Sequence, residues 1–483
     1  MSEHMRLGDI LLYRGLVSAE GLERALKLQR EKSGRLGEYL IELGLISHEQ
    51  LHAVLEETPS SPLNVQQTGI SRASLLGLML KFMRADSCET LPDLSKKMGL
   101  PHSVIQELME EATTQKLVQT LGSSVVGLVR YIRYTLSDLG RAAAGDALAQ
   151  SAYLGPAPVS LSTYQTQVRR QAIRNENLRE ANFRAGFSDL NVPDAYVRKL
   201  LPAVQAGRTI LLYGPPGNGK TSIGTRISKM FRDVVYIPYA LEIGGQIIKI
   251  YDTGVHKPYN DGPGAAASLS ESGSVKLEGF DMRWVPCRRP VAMAGGELTL
   301  EMLDLRYDPV TKFYDAPLHM KALNGLFLID DFGRQKVNPT ELLNRWIVPL
   351  ESRIDYLTLN TGMSFMIPFD ELVLFSTNLK PADLMDPAFL RRIPYKIEVL
   401  GPEVAEYRKI FAAVATKHQL AISDYVFQHI VGRLRSASYD LAYFQPNFLC
   451  EQIAQICSCF NEPREVTIDL AEEALKNLYV DLA

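Results

Sequence analysis

The stretch TILLYG runs straight into GPPGNGKTS at 214–222, and no other feature narrows the fold of this chain as much. An apolar strand ending in a glycine-rich loop, with a helix starting inside that loop, belongs to an open parallel α/β sheet. Gly214, Pro215, Pro216, Gly217, Asn218, Gly219, Lys220, Thr221 and Ser222 form the loop. Its glycines let successive backbone N–H groups turn inward around a phosphate, and the positive end of the following helix faces the same charge. Lys220 is expected on the β/γ-phosphates and Thr221 on Mg2+.

The other half of such a site lies at the end of a neighbouring strand. GLFLIDDFGRQ, 325–335, is the one segment with the right form: an apolar strand followed by Asp330 and Asp331. Asp330 is the expected Mg2+ ligand, and Asp331 is placed to polarise the attacking water. The DFG triplet also occurs in protein kinases, but none of their other motifs accompanies it. ELVLFSTNL, 371–379, reads as a further strand that brings Asn378 to the same edge. In DPAFLRRIPYKIEV, 386–399, Arg391 and Arg392 follow a helix start on an outward-facing segment. Their expected use is on the γ-phosphate of a neighbouring subunit.

These pieces resemble the AAA+ ATPases: GPPGNGKT as Walker A, LFLIDD as Walker B, Asn378 as sensor 1 and Arg391/Arg392 as the arginine-finger region. The resemblance covers roughly 185–483. It implies an α/β nucleotide-binding domain at 185–398, a helical lid at 399–483, ATP with Mg2+, and a ring, commonly hexameric. Where the family opens a lid helix with an arginine, this chain has YFQPNFLCEQIAQ with Asn447; Arg433 or Arg435 is the alternative. Lys220 and Asp330 stand 110 residues apart, more than a compact path between two strands needs. The excess around 251–312 contains the Gly/Ser/Ala-rich run 258–277, expected to be mobile, and RWVPCRRP at 283–290. Arg283, Arg288 and Arg289 are candidates for pore loops or clamps, for an interface with nucleotide, or for plain surface. Arg345 and Arg353, in the helix and hairpin expected at 344–362, are candidate sensors of a neighbouring subunit.

The first sixty residues hold a repeat. RLGDILLYRGLVS starts at Arg6 and RLGEYLIELGLIS starts 29 residues later at Arg35. Each unit reads as helix, Gly turn and helix, with Ser47 and Gln50 forming a capping box. Arginine suits phosphate and base contacts, and glycine admits a ligand to the backbone; a packing repeat explains the same pattern. The repeats closely resemble the cyclic di-GMP-binding domain of type II secretion and type IV pilus ATPases. That domain repeats RLGxxLxxxG, LxxxL and a final Gln, matched here over 6–29 and 35–58. The resemblance implies a dinucleotide held by Arg6, Arg35 and Gln29. Thr58 stands where the second Gln would be, and Thr58→Gln is expected to tighten the site.

Residues 58–69 read as a linker. Those at 70–152 resemble a winged helix-turn-helix: helix, two helices around Gly99, hairpin and tail. Its reading helix carries Glu107, Glu110 and Glu111 without Lys or Arg, which repels phosphate. A protein-interaction role is therefore favoured over DNA. Residues 153–184 read as a linker or helical segment.

Composition adds exclusions. With 46% apolar and 22% charged residues and a net charge of -3, a disordered chain and a globally basic nucleic-acid binder are both ruled out. Five scattered cysteines, the absence of a signal-like opening and the lack of any long apolar run predict a reduced, cytoplasmic protein without membrane insertion. The expectation is therefore a multidomain chain: a small all-α N-terminal domain (1–58), a winged-helix-like α+β middle domain and an AAA+ α/β P-loop domain with its lid. Its expected work is Mg-dependent ATP hydrolysis that remodels or regulates a partner protein under cyclic di-GMP control. The alternative is a DNA-associated AAA+ regulator; the intact Lys220 and acidic pair argue against a scaffold that only binds ATP.

Overall fold

The computed structural model describes residues 7–32, 34–126, 129–188, 194–259 and 279–479. Arg6 and most of the run 258–277 lie outside them. The repeat forms four helices, Leu7–Tyr13, Ala19–Lys32, Leu36–Glu42 and His48–Glu57. The turns between helices are made by Gly15 and Gly44, at φ +67 and +65, where a side chain would be strained. The Ser47–Gln50 capping box is formed in both directions. Gly8 and Gly37 have a packing role: a Cβ on them would fall 2.9 Å from Leu22 and 2.7 Å from Leu51. The glycine of each RLG thus lets two helices close on each other, and needs no ligand to explain it.

This helical unit is not a separate bead. Its core residues Ile10, Leu11, Leu40 and Val54 belong to one apolar cluster with Val235, Tyr236, Ile248 and Trp284, far along the chain. Residues 58–69 are a packed strap rather than a linker. Thr58, Val65 and Thr68 are buried, Ser61 N donates to Gly279 O at 2.6 Å, and Asp281 N donates to Pro59 O at 3.0 Å.

The middle unit runs through helices Arg72–Ala85, Leu91–Met98 and His102–Thr114, the antiparallel strands Val118–Val126 and Val129–Leu136, and helix Asp138–Gln150. Gly99, at φ +64, makes the turn between the two short helices. On helix His102–Thr114, Glu107 and Glu111 pair with Arg72, and Glu107 also accepts from Val65 N at 3.0 Å. The strap therefore lies along the helix that would read DNA.

The central sheet has five parallel strands: β1 Ile210–Tyr213, β2 Val291–Ala294, β3 Leu326–Ile329, β4 Leu372–Thr377 and β5 Tyr395–Glu398, in the spatial order β5-β1-β4-β3-β2. All four residues of β3 and all six of β4 are buried, as expected for strands covered on both faces. The long gap between Lys220 and Asp330 is filled by structure. Val234–Pro238 pairs with Trp284–Arg288. A second five-stranded sheet takes Arg306–Asp308, Phe313–Asp315, Gln246–Lys249, Ala240–Ile243 and, from before the central sheet in the chain, Val159–Ser160.

Residues 153–184 are the helical alternative rather than a linker, with helices Leu161–Arg170 and Glu180–Gly186 beside that last strand. Their Gln167, Gln171 and Glu176 are buried. Gln171 Nε2 donates to Asn324 Oδ1 at 2.9 Å, while its Oε1 accepts from Tyr236 N at 2.9 Å. The arginines of RWVPCRRP turn inward as well. Arg283 pairs with Asp281 at 2.8 Å, both buried, and Arg289 with Glu176 at 2.7 Å. The Arg288 guanidinium sits 5.9 Å over the Tyr13 ring. Arg283 and Arg289 fasten the body together, so they are neither pore loop, nucleotide interface nor open surface.

The lid is a four-helix unit, Val404–Lys417, Asp424–Ser436, Gln445–Phe460 and Ile468–Leu478, closed around Tyr407, Phe411, Phe427, Ile430, Leu449 and Leu475.

Candidate functional site

A cleft of about 480 Å³ opens where the C-terminal edge of the sheet meets the lid. From the loop it is lined by Pro216, Gly217, Asn218, Gly219, Lys220, Thr221 and Ser222, and from β3 and β4 by Asp330, Asp331 and Asn378. Gly214 and Pro215 stand behind this wall, their carbonyls each accepting from Lys220 Nζ at 2.9 Å. Gly214, Gly217 and Gly219 all have positive φ, which explains why the loop needs glycine at those points. Burial lowers the Lys220 ammonium's pKa, while the Asp330 and Asp331 charges pull it back up.

Strand order explains the grouping. β4 lies between β1 and β3, so Asn378, just past its end, sits between the loop and the acidic pair. Thr221 Oγ1 donates to Asp330 Oδ2 at 2.7 Å, the first residues of helix Lys220–Ile227 meeting the end of β3. The segment after β3 is pinned in turn: Phe332 N donates to Ser376 O at 2.7 Å, and Thr377 Oγ1 to Phe332 O at 2.8 Å. Asp331 is exposed and stands at φ +49.

Other sequence candidates fall elsewhere. Arg391 is exposed, and Arg392 is tied to Glu351 at 2.6 Å; neither lines the cleft. Arg345 pairs with Asp355 at 2.6 Å, and Arg353 donates to Gly207 O, so both brace their own subunit. On the lid, Asn447 is not on the cleft, and Arg433 is held by Glu472 at 2.7 Å; Arg435 is exposed on the same helix and also off the cleft.

Reading the sequence missed the apolar side of the cleft. Tyr196, Val399, Leu400, Tyr443 and Phe444 line it. Leu400 N donates to Tyr196 OH at 3.2 Å, joining the helix before β1 to the segment after β5. The aromatic pair in YFQPNF was the available signal. At the N-terminal repeat, Gln29 Nε2 donates to Gly34 O at 2.7 Å, beside exposed Arg35. Thr58 corrects the expectation attached to it. It is 7% exposed, and its hydroxyl is bonded to Val54 O at 2.8 Å and to Tyr236 OH at 3.1 Å. The position is packed against Tyr236 rather than open to a ligand.

Among the described residues there is no His/Cys/Asp/Glu cluster of metal-holding form, and no helix is long and apolar enough to cross a membrane. A family model described as a domain of unknown function, DUF8689, matches 403–477, the lid. No curated protein matches the chain. Solved structures similar to it include the RuvB Holliday junction branch migration motor of Thermotoga maritima, at 15% identity and a TM-score of 0.33, covering 60% of this chain and 69% of that one. Another is NtrX of Brucella abortus, at 11% identity and a TM-score of 0.37, covering 60% of this chain and 57% of that one.

Proposed function

We propose that this chain is a Mg-dependent ATPase of the AAA+ type that acts mechanically on a partner protein. The observation that carries the reading is the Thr221–Asp330 contact at 2.7 Å, inside a cleft that also gathers Lys220, Asp331 and Asn378. The loop amides and Lys220 would bind the phosphates. Tyr196, Val399, Leu400 and Tyr443 offer an apolar slot of the kind that takes a flat base. Thr221 and Asp330 are the oxygen donors that would hold Mg2+, a hard cation that prefers oxygen. When bound, it supplies neutralising charge at the phosphates. Asp331 accepts a proton from the attacking water, and Asn378 orients that water between β1 and β3.

A ring is part of the proposal. Arg391 is exposed and forms no ion pair among the described residues, which suits a guanidinium used on a neighbour's nucleotide. The client is a protein rather than DNA, because the strap and Arg72 occupy the acidic reading helix. Control by cyclic di-GMP rests on the repeat alone. Gln29 and Arg35 offer one half-site, and the opposite junction, at Thr58, is filled by Tyr236.

Titration of the full chain with ATP in the presence of Mg2+ tests the site. Wild-type protein is expected to bind saturably. Lys220→Ala, which removes a charge-assisted contact worth about 1.5–3 kcal/mol, is expected to bind at least about tenfold more weakly. Equal affinity in the two would overturn the proposal.

A further inference from the structure

The lid side of the cleft carries no guanidinium. Among the described residues that line it, Lys220 is the one basic side chain. The lid meets the phosphate loop through an aromatic residue instead. Phe444 N donates to Gly217 O at 3.2 Å, and Tyr443 N to Asn218 Oδ1 at 3.4 Å. Gly217 stands at φ +79, and any Cβ there would run into the Phe444 ring. The ring remains 39% exposed, so burial in the lid core does not hold it in place; it rests on the loop. Phe444 immediately precedes helix Gln445–Phe460, so whatever moves the ring moves a lid helix.

We propose that Phe444 is the residue through which the lid reads the phosphate loop, a positioning residue for hydrolysis in a cleft that lacks a lid arginine. This rests on the ATPase reading. Lys220 Nζ is bonded to the carbonyls of Gly214 and Pro215, so the loop is closed on its own lysine. Two of the lysine's three N–H groups are thus engaged, and a phosphate that takes the third together with the loop amides bears on the same segment. Gly217 lies in the middle of that segment, and its missing side chain brings the ring to backbone distance. A shift of the backbone therefore passes to the lid helix without being absorbed by a flexible side chain. The contact forms part of the closed, hydrolysing arrangement. The loop amides and the base slot supply ground-state binding without it.

The test compares ATP affinity and steady-state turnover in the full chain for wild type, Phe444→Ala, Phe444→Tyr and Phe444→Trp. For Phe444→Ala, kcat is expected to fall about tenfold, while Kd stays within about threefold. Phe444→Tyr, which keeps the ring, is expected to restore kcat. Both native tryptophans, Trp284 and Trp346, are buried. The added emission of Phe444→Trp should therefore change when ATP binds. Wild-type kcat in Phe444→Ala would overturn the proposal. If that variant does not fold, an Phe444→Trp signal unmoved by bound ATP would overturn it equally. A wild type that binds no ATP would overturn the ATPase reading itself, whereas a wild type that hydrolyses beside an unaffected Phe444→Ala removes this inference alone.

Discussion

Asp331 shows how a single backbone angle selects a residue. Its φ of +49 is the left-handed region that short polar side chains enter more readily than long ones. A short acidic side chain fits that turn better than a longer one would. Thr58 makes the same point through packing. From the repeat alone, glutamine at 58 looks like an improvement; against Tyr236 it is an intrusion. Thr58→Gln is expected to cost about 1–3 kcal/mol, as overpacking in a tight core does. It should lower the thermal midpoint and leave cyclic di-GMP affinity no tighter than in wild type. Calorimetric unfolding and titration of the full chain check both, and tighter binding at an unchanged midpoint would contradict the packing argument.

At the level of elements, the parts legible in the sequence were those whose chemistry is local. The phosphate loop carries its own strand, glycines and helix, and Leu326–Ile329 announces a buried strand by composition. What sequence could not show was the partner of each isolated charge. Arg289 reads as one of a basic cluster, yet it is 5% exposed. It bonds Glu176 at 2.7 Å and the carbonyls of Gln171 and Asn324 at 2.9 and 2.8 Å. The residues it joins lie 118, 113 and 35 positions away, on two segments. Removing one side of such a pair leaves a buried charge unmatched and typically costs about 3–5 kcal/mol, whereas removing both is far milder. Arg289→Met is therefore expected to lower the thermal midpoint more than Arg289→Met/Glu176→Gln does. A double variant less stable than the single one would contradict that assignment. The aromatic slot was hidden for a related reason: Tyr196 and Tyr443 face one cleft from positions far apart in the sequence.

For the whole molecule, the N-terminal repeat and the half that carries the phosphate loop share one apolar cluster, with the strap laid between them. Gln171 and Arg289 run from that cluster to Asn324, at the base of β3, whose far end carries Asp330 and Asp331. The N-terminal body is thus built onto the strand that bears the acidic pair, while the lid touches the opposite side of the cleft through Phe444. Both frame the cleft. The central claim is that this cleft turns over ATP. It is tested most directly by phosphate release from Mg-ATP by the full chain, wild type against Asp331→Asn, across a series of protein concentrations. Losing a general base, the role proposed for Asp331, typically removes about 10²–10⁴-fold of rate. The wild type should turn over, with activity per chain rising with concentration as the proposed ring requires, and Asp331→Asn should be at least about a hundredfold slower at every concentration. Equal turnover in the two proteins, or none in a wild type that binds ATP, would contradict the account.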